Sequence, residues 1–346
     1  PAMPPSSTGS SRRSSALREV GVAIALALAV ASGCGGRDGR SPHPPAAHRL
    51  VILGFDGVDP RFLSGWMEEG KLPRLRALAE RARVRTTTDS VEVAAGLGRV
   101  GRDLGRAVEV LVEVDTGLHR MGQPPGEPTV ALVTELVRVE GIEVVGLLTH
   151  AGHAYRTRTP EELRANAERE GLDLVATAER CATEGVELRE ISVGSTPTAR
   201  LVAGVAGITE IRPGTYVFND VQQMRLGVAT EATCAARVVT TVVAHPSEER
   251  FVLDAGTKAF TADGGDGPPF PGRGVVAGRP DLVLDFMNEE HTVGHRTGAD
   301  DVRIGDRLEV IPLHVCSTVN MFDEAVGVRD GDVERMFAIA GRGRMR

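Results

Sequence analysis

Residues 108–122, VEVLVEVDTGLHRMG, decide the fold. An apolar, β-branched run reads as a strand that ends in Asp115 and the turn at Gly117. Working outward, strand-like and helical patterns alternate. A helix is expected near 128–140, then the strand IEVVGLLTHAG (142–152). A second helix is expected near 160–184, then LREISVGSTPT (188–198) and EIRPGTYVFND (210–220). Repeated β then α, with Gly, His or Asp at the strand ends, predicts parallel βαβ units. In barrels of such units, polar residues at the carboxyl ends of strands read as active-site residues. After residue 235 the helical pattern fades, and ARVVTTVVAH (236–245), RFVLDAG (250–256) and DRLEVIPLHV (306–315) predict a mostly β C-terminal domain.

The 346 residues allow one large domain or two ordinary ones. A net charge of −7 and aromatics at 3% argue against a nucleic-acid surface, which would be basic and rich in stacking side chains. Cys34, Cys181, Cys234 and Cys316 show no CxxC spacing, so a disulfide scaffold is not expected. Lys71 and Lys258 are the only lysines.

Residues 1–34 read as a leader. Arg12 and Arg13 precede the apolar run VGVAIALALAVASG (20–33), and ASGC (31–34) is similar to a bacterial lipobox that would place a lipid anchor on Cys34. Residues 35–48 read as a linker. RLVILGFDGVDP (49–60) and LPRLRALAERA (72–82) read as a strand and an amphipathic helix. With MEEGKLPRLRALA (67–79) they resemble the start of a type I phosphodiesterase of the alkaline phosphatase superfamily, in which Asp56 would match a metal ligand. The nucleophile and later ligands of that family have no counterpart downstream. A lipid-anchored phosphodiesterase-like hydrolase is therefore the alternative reading, resting on residues 1–84.

Seven segments occur in one order: VEVDTGLHRMG (112–122), LLTHAGHAY (147–155), SVGSTPT (192–198), EIRPGTYVFND (210–220), VLDAGTKA (252–259), EEH (289–291) and GDRLEVIPLHVCSTVN (305–320). Together they resemble the D-threonine aldolase / D-serine dehydratase family, fold-type III PLP enzymes related to alanine racemase, over about residues 85–346. The resemblance implies a PLP-binding (β/α)8 TIM-like barrel, incomplete here, at 85–234. A β domain carrying a metal site would follow at 235–346. It implies a soluble, cytoplasmic lyase acting on a small D-β-hydroxy amino acid, by aldol cleavage or by dehydration, and a possible homodimer. The N-terminal leader, if genuine, would instead imply export and membrane anchoring.

The resemblance also assigns residues. Gly194, Ser195 and Thr196, with Gly214 and Thr215, would hold the PLP phosphate, as backbone N–H groups and hydroxyls suit an anion. Arg120 would lie beside the ring, His150 would pack on its face, and Tyr155 would face the cofactor. Arg212 would approach the pyridine nitrogen or the phosphate, its plainer role being an ion pair with Glu210. His291 would act as a base or support the site from behind. On a strand, His314 and Cys316 would point to one face. Imidazole and thiolate are both zinc ligands, and the family binds Zn2+ (or Mn2+) through such a pair. The family's Schiff-base lysine segment on the first barrel strand has no counterpart here, and Lys71 and Lys258 lie outside that position. This implies impaired lyase activity or a non-catalytic metal- and PLP-binding remnant, in a chain that joins two unrelated beginnings around residues 72–90.

Overall fold

The computed structural model describes residues 85–263, 270–299 and 301–343. Five strands, β1 (Arg85–Thr88), β2 (Val108–Glu113), β3 (Ile142–Leu148), β4 (Glu190–Val193) and β5 (Glu210–Ile211), pair in parallel in chain order. The connections hold helices α1 (Val91–Asp103), α2 (Glu127–Leu136), α3 (Pro160–Thr183) and α4 (Ala199–Val202). Each neighbour in the sheet is the next strand in sequence, which is how a (β/α) barrel winds. The expected strand–helix alternation is therefore the observed one.

Local chemistry starts the helices where the sequence signals them. The Ser90 hydroxyl accepts the Val93 N–H at the head of α1, and Thr159 accepts the Glu162 N–H ahead of Pro160 in α3. Buried Leu163, Ala167, Glu170, Leu174, Ala178 and Cys181 recur along α3 at helical spacing and face the sheet. Leu136, Leu147, Leu174 and Val112 fill this helix–sheet core with no exposure, each contributing about 1.5–3 kcal/mol. Across the sheet, Arg85 on β1 donates to Glu109 on β2 at 3.0 Å and to Glu190 on β4 at 2.6 Å.

The C-terminal part is a closed antiparallel barrel. Helix α5 (Val221–Arg225) leads into β6 (Val238–Ala244) and β7 (Arg250–Leu253), followed by α6 (Thr257–Phe260). Then come β8 (Gly274–Val276), β9 (Leu282–Met287), β10 (Thr292–Arg296) and β11 (Arg307–Pro312), in the spatial order β10-β7-β6-β11-β8-β9. Val238, Val242, Phe251, Leu253, Leu284 and Val310 fill its interior, alternating along the strands with outward residues. Closure removes the unpaired edge that an open sheet would leave. Helix α7 (Val315–Val319) and a hairpin of β12 (Glu324–Arg329) and β13 (Asp332–Ala338) complete the chain.

One local expectation is corrected. The apolar run at 306–315 does not carry Cys316 on a strand, because β11 ends at Pro312 and α7 begins at Val315. The buried Asp220 carboxylate accepts the Val315 N–H at 3.0 Å, offering that donor a side-chain acceptor in place of a strand neighbour. The leader, the anchor at Cys34 and the phosphodiesterase-like stretch lie outside the described residues. Among the described residues no helix is long and apolar enough to cross a membrane.

Candidate functional site

The carboxyl ends of β2 to β5 converge. Thr149 N–H donates to Ser192 O, Arg212 N–H to Val193 O, and the Thr116 and Thr149 hydroxyls meet at 2.9 Å. Arg212 leaves the end of β5 and runs back under this edge. Its Nε donates to Ser192 Oγ at 2.8 Å and its Nη2 to Thr149 O, while Glu210 stands 3.9 Å away. The plainer of the two expected roles of Arg212, the ion pair with Glu210, is the one present, with bonds to the strand ends beside it. Burial pulls its pKa down, opposed by Glu210, Glu170 and Glu113. His150 Nδ1 lies 3.3 Å from Gly194 O, which ties the end of β3 to the loop after β4.

That loop has the features of an anion cradle. Gly194 holds φ +118°, a conformation open to glycine, and an added Cβ would stand 3.2 Å from Arg212 N. The Thr196 hydroxyl is buried with no hydrogen-bond partner. At Gly214 an added Cβ would meet nothing within 4 Å. A partnerless buried hydroxyl beside a glycine-shaped backbone and open space fits a phosphate group. Behind the loop, Glu170 of α3 accepts the Gly194 N–H at 2.8 Å. Burial pushes this carboxyl up to about 7, against the pull of Gly194 and Arg212.

A second cluster abuts the cradle. His314 and Cys316 lie on either side of the start of α7, close enough for each to shift the other's ionisation. The contact lifts His314 to about 9 and lowers the Cys316 thiol. Asp263 accepts from His314 Nδ1 at 2.8 Å and from Ser317 Oγ at 2.5 Å. Cys316 Sγ lies 3.7 Å from the Thr215 hydroxyl. Tyr155, in the 3-10 turn after β3, lies half-buried near Thr215 and Gln223, and burial raises its pKa. Imidazole and thiol facing one another fit a soft divalent metal such as zinc. Among the described residues no cluster of three or more His, Cys, Asp or Glu side chains stands ready around one point, so water and substrate would have to complete the shell.

The structure therefore brings together Tyr155, Gly194, Ser195, Thr196, Arg212, Gly214, Thr215, His314 and Cys316. Arg120 is exposed in the loop after β2. His291 is exposed in the turn between β9 and β10, where its N–H donates to Asn288. Lys258 in α6 is exposed and paired with Glu290. Sequence reasoning missed Glu170, Asp220 and Asp263. A carboxyl in the apolar stripe of α3 was a readable signal for Glu170. Asp220 and Asp263 act across 95 and 51 residues, a range that carries no local pattern.

Comparisons with known proteins agree with this fold. Residues 58–221 match the family described as alanine racemase, N-terminal domain, and residues 235–328 the putative serine dehydratase domain. The first match takes in most of the stretch read as phosphodiesterase-like, and no comparison supports that reading. D-threo-3-hydroxyaspartate dehydratase of Delftia sp. (strain HT23) is 35% identical over 273 residues, covering 74% of this chain and 72% of that protein. D-threonine aldolase of Arthrobacter sp. is 32% identical over 279 residues, covering 78% of this chain and 71% of that protein. The solved structure of the Delftia dehydratase superposes with a TM-score of 0.70 at 34% identity, covering 78% of this chain and 76% of that one.

Proposed function

The chain belongs to the family of D-threo-3-hydroxyaspartate dehydratase and D-threonine aldolase, and from that premise we propose that it is a PLP- and divalent-metal-dependent lyase of D-β-hydroxy amino acids. One observation carries the reading. Thr215 of the anion cradle touches the Cys316 thiol, so a phosphate-anchored cofactor and a metal would lie side by side. Chemistry at the bond between Cα and a hydroxylated Cβ needs that adjacency.

Bound PLP supplies an electron sink, and a bound metal supplies a Lewis acid for the substrate's β-hydroxyl. The chain's own groups do the positioning. Ser195, Thr196 and Thr215 offer hydroxyls and backbone N–H groups to the phosphate, with Gly194 and Gly214 shaping the loop. Arg212 holds the strand ends that would support the cofactor, and His150 fixes the Gly194 carbonyl. Tyr155 braces Thr215 from the side of β3. His314 and Cys316 are the metal ligands, and zinc is the metal that this donor pair favours. Arg120 and His291 would reach the reacting groups from exposed loops. The working form is a cytoplasmic homodimer.

A second reading is a metal- and PLP-binding chain without turnover. The position of Lys258 favours it, because this lysine is exposed, salt-bridged to Glu290 and carried on α6 of the C-terminal barrel. Any covalent link to PLP would have to use Lys71 or Lys258, the two lysines of the sequence.

The experiment is absorbance of the purified chain with PLP, borohydride reduction and peptide mapping, followed by assays on D-threonine, D-serine and D-threo-3-hydroxyaspartate with zinc. A reducible band on Lys71 or Lys258, with turnover of any of the three, supports the lyase. No band and no turnover, with zinc still retained, supports the second reading.

A further inference from the structure

Among the described residues, Asp263 is the carboxylate that accepts from the histidine of the His314–Cys316 pair. It leaves the end of α6 through Thr261, which holds φ +76°, an unusual conformation for a β-branched residue. The Thr318 hydroxyl lies 3.0 Å from both Phe260 O and His314 O, and its single proton, shared between the two carbonyls, ties the end of α6 to the start of α7. Asp263 is thus delivered to His314 by a turn braced from both sides. One carboxylate oxygen, Oδ2, receives both His314 Nδ1 and Ser317 Oγ.

We propose that Asp263 is a positioning residue for metal capture: its carboxylate accepts the hydrogen bond from His314 Nδ1–H and leaves Nε2 as the ligating nitrogen. The proposal rests on the metal reading given above. A histidine that spends Nδ1–H on a carboxylate is fixed in tautomer and ring orientation, and its other nitrogen becomes a stronger donor. Ser317 fixes the carboxylate in turn, so the support is a relay of three side chains on two elements. As a plain ion pair the contact would matter little. Both side chains are about two-fifths exposed, and such pairs contribute little to stability. The two roles therefore separate: positioning predicts a metal effect without a stability effect.

The test is zinc titration of the full chain against a chromophoric chelator, for the wild type and for Asp263→Ala, Asp263→Asn, His314→Ala and Cys316→Ala. Cobalt(II) absorption and thermal melts of the apo-proteins run alongside. Asp263→Ala should weaken zinc binding about ten- to a hundredfold and alter the cobalt band, with the apo-protein melt unmoved. Asp263→Asn keeps an acceptor for Nδ1–H and should recover part of the loss. Unchanged affinity in Asp263→Ala overturns the proposal. Loss of metal as complete as in His314→Ala also overturns it, by making Asp263 a direct ligand. A wild-type chain that takes up no zinc fails the metal reading itself, and is distinguished from the other outcomes because His314→Ala then changes nothing.

Discussion

Glu170 shows how much one side chain can carry. It is 1% exposed, yet it is a carboxyl, and burial raises it from an ordinary 4.5 to about 7. The folded state therefore holds this proton over a range where the unfolded chain has lost it. Its contribution is fully present below about pH 4.5 and is lost as pH rises through 7, which is the reverse of a salt-bridged carboxylate. The shift corresponds to about 3 kcal/mol. Glu170→Gln keeps an acceptor for the Gly194 N–H and has no proton to lose. Relative to the wild type it should gain up to that amount between pH 5 and pH 8, read as the difference in urea midpoints. A constant difference across that range would show that Glu170 stays ionised in the fold. The neighbouring Gly194 makes a second prediction. Alanine there is strained by the positive φ and crowds Arg212 N, at a cost of about 1–3 kcal/mol. The same variant should retain less PLP after gel filtration, because the cradle must shift to admit the methyl group.

Helices α5 and α7 depend on one residue between them. Asp220 caps α5 through the Gln223 N–H at 3.0 Å and holds the Val315 N–H that opens α7. Losing a cap costs about 1 kcal/mol and leaving a buried donor unmet costs about 1–3 kcal/mol, so Asp220→Ala should lose at least about 2 kcal/mol in urea unfolding. It should also release zinc, since α7 carries Cys316. An unchanged midpoint would mean that other contacts hold both helix starts. This pair of helices also explains where the sequence stopped being legible. Strands β2 to β4 and helix α3 announce themselves through local periodicity and through caps a few residues away, and they lie where the patterns put them. Helix α7 has five residues in an apolar context, and the group that starts it is distant in sequence. Its sequence alone therefore reads as a continuation of β11. The two candidate ligands remain neighbours because His314 stays extended ahead of α7 while Cys316 lies in its first turn; two positions apart within a helix they would point away from each other.

The two halves of the molecule share a boundary layer, and this bears on what metal does to the whole. Val221 and Met224 of α5 pack with Cys234, Ile311 and Leu313, so the helix after the parallel sheet and the strand before His314 form one small core. The class of architecture was readable from alternating patterns and motif order. That Asp220 reaches across this boundary, and that Asp263 reaches His314 within the C-terminal part, was not, because tertiary contacts alone bring these carboxylates to their partners. The phosphodiesterase-like reading of residues 49–82 also found no support among the comparisons. A strand followed by an amphipathic helix is common to many α/β proteins, so residues 49–82 lacked the discriminating chemistry that the later motifs have. The shared core predicts coupling. The long helices α1 and α3 belong to the parallel-sheet part, whereas the metal ligands follow β11 of the C-terminal barrel. A ligand that binds only the folded state stabilises by about 2.7 kcal/mol at a hundredfold excess over its Kd. If the boundary transmits this, zinc should raise the melting of the helical signal at 222 nm by several degrees, although that signal comes mainly from the part without ligands. EDTA should reverse the rise, and His314→Ala should show none. A helical melt indifferent to zinc in a chain that nonetheless binds it would show that the halves unfold separately, with the Val221–Leu313 core too small to join them.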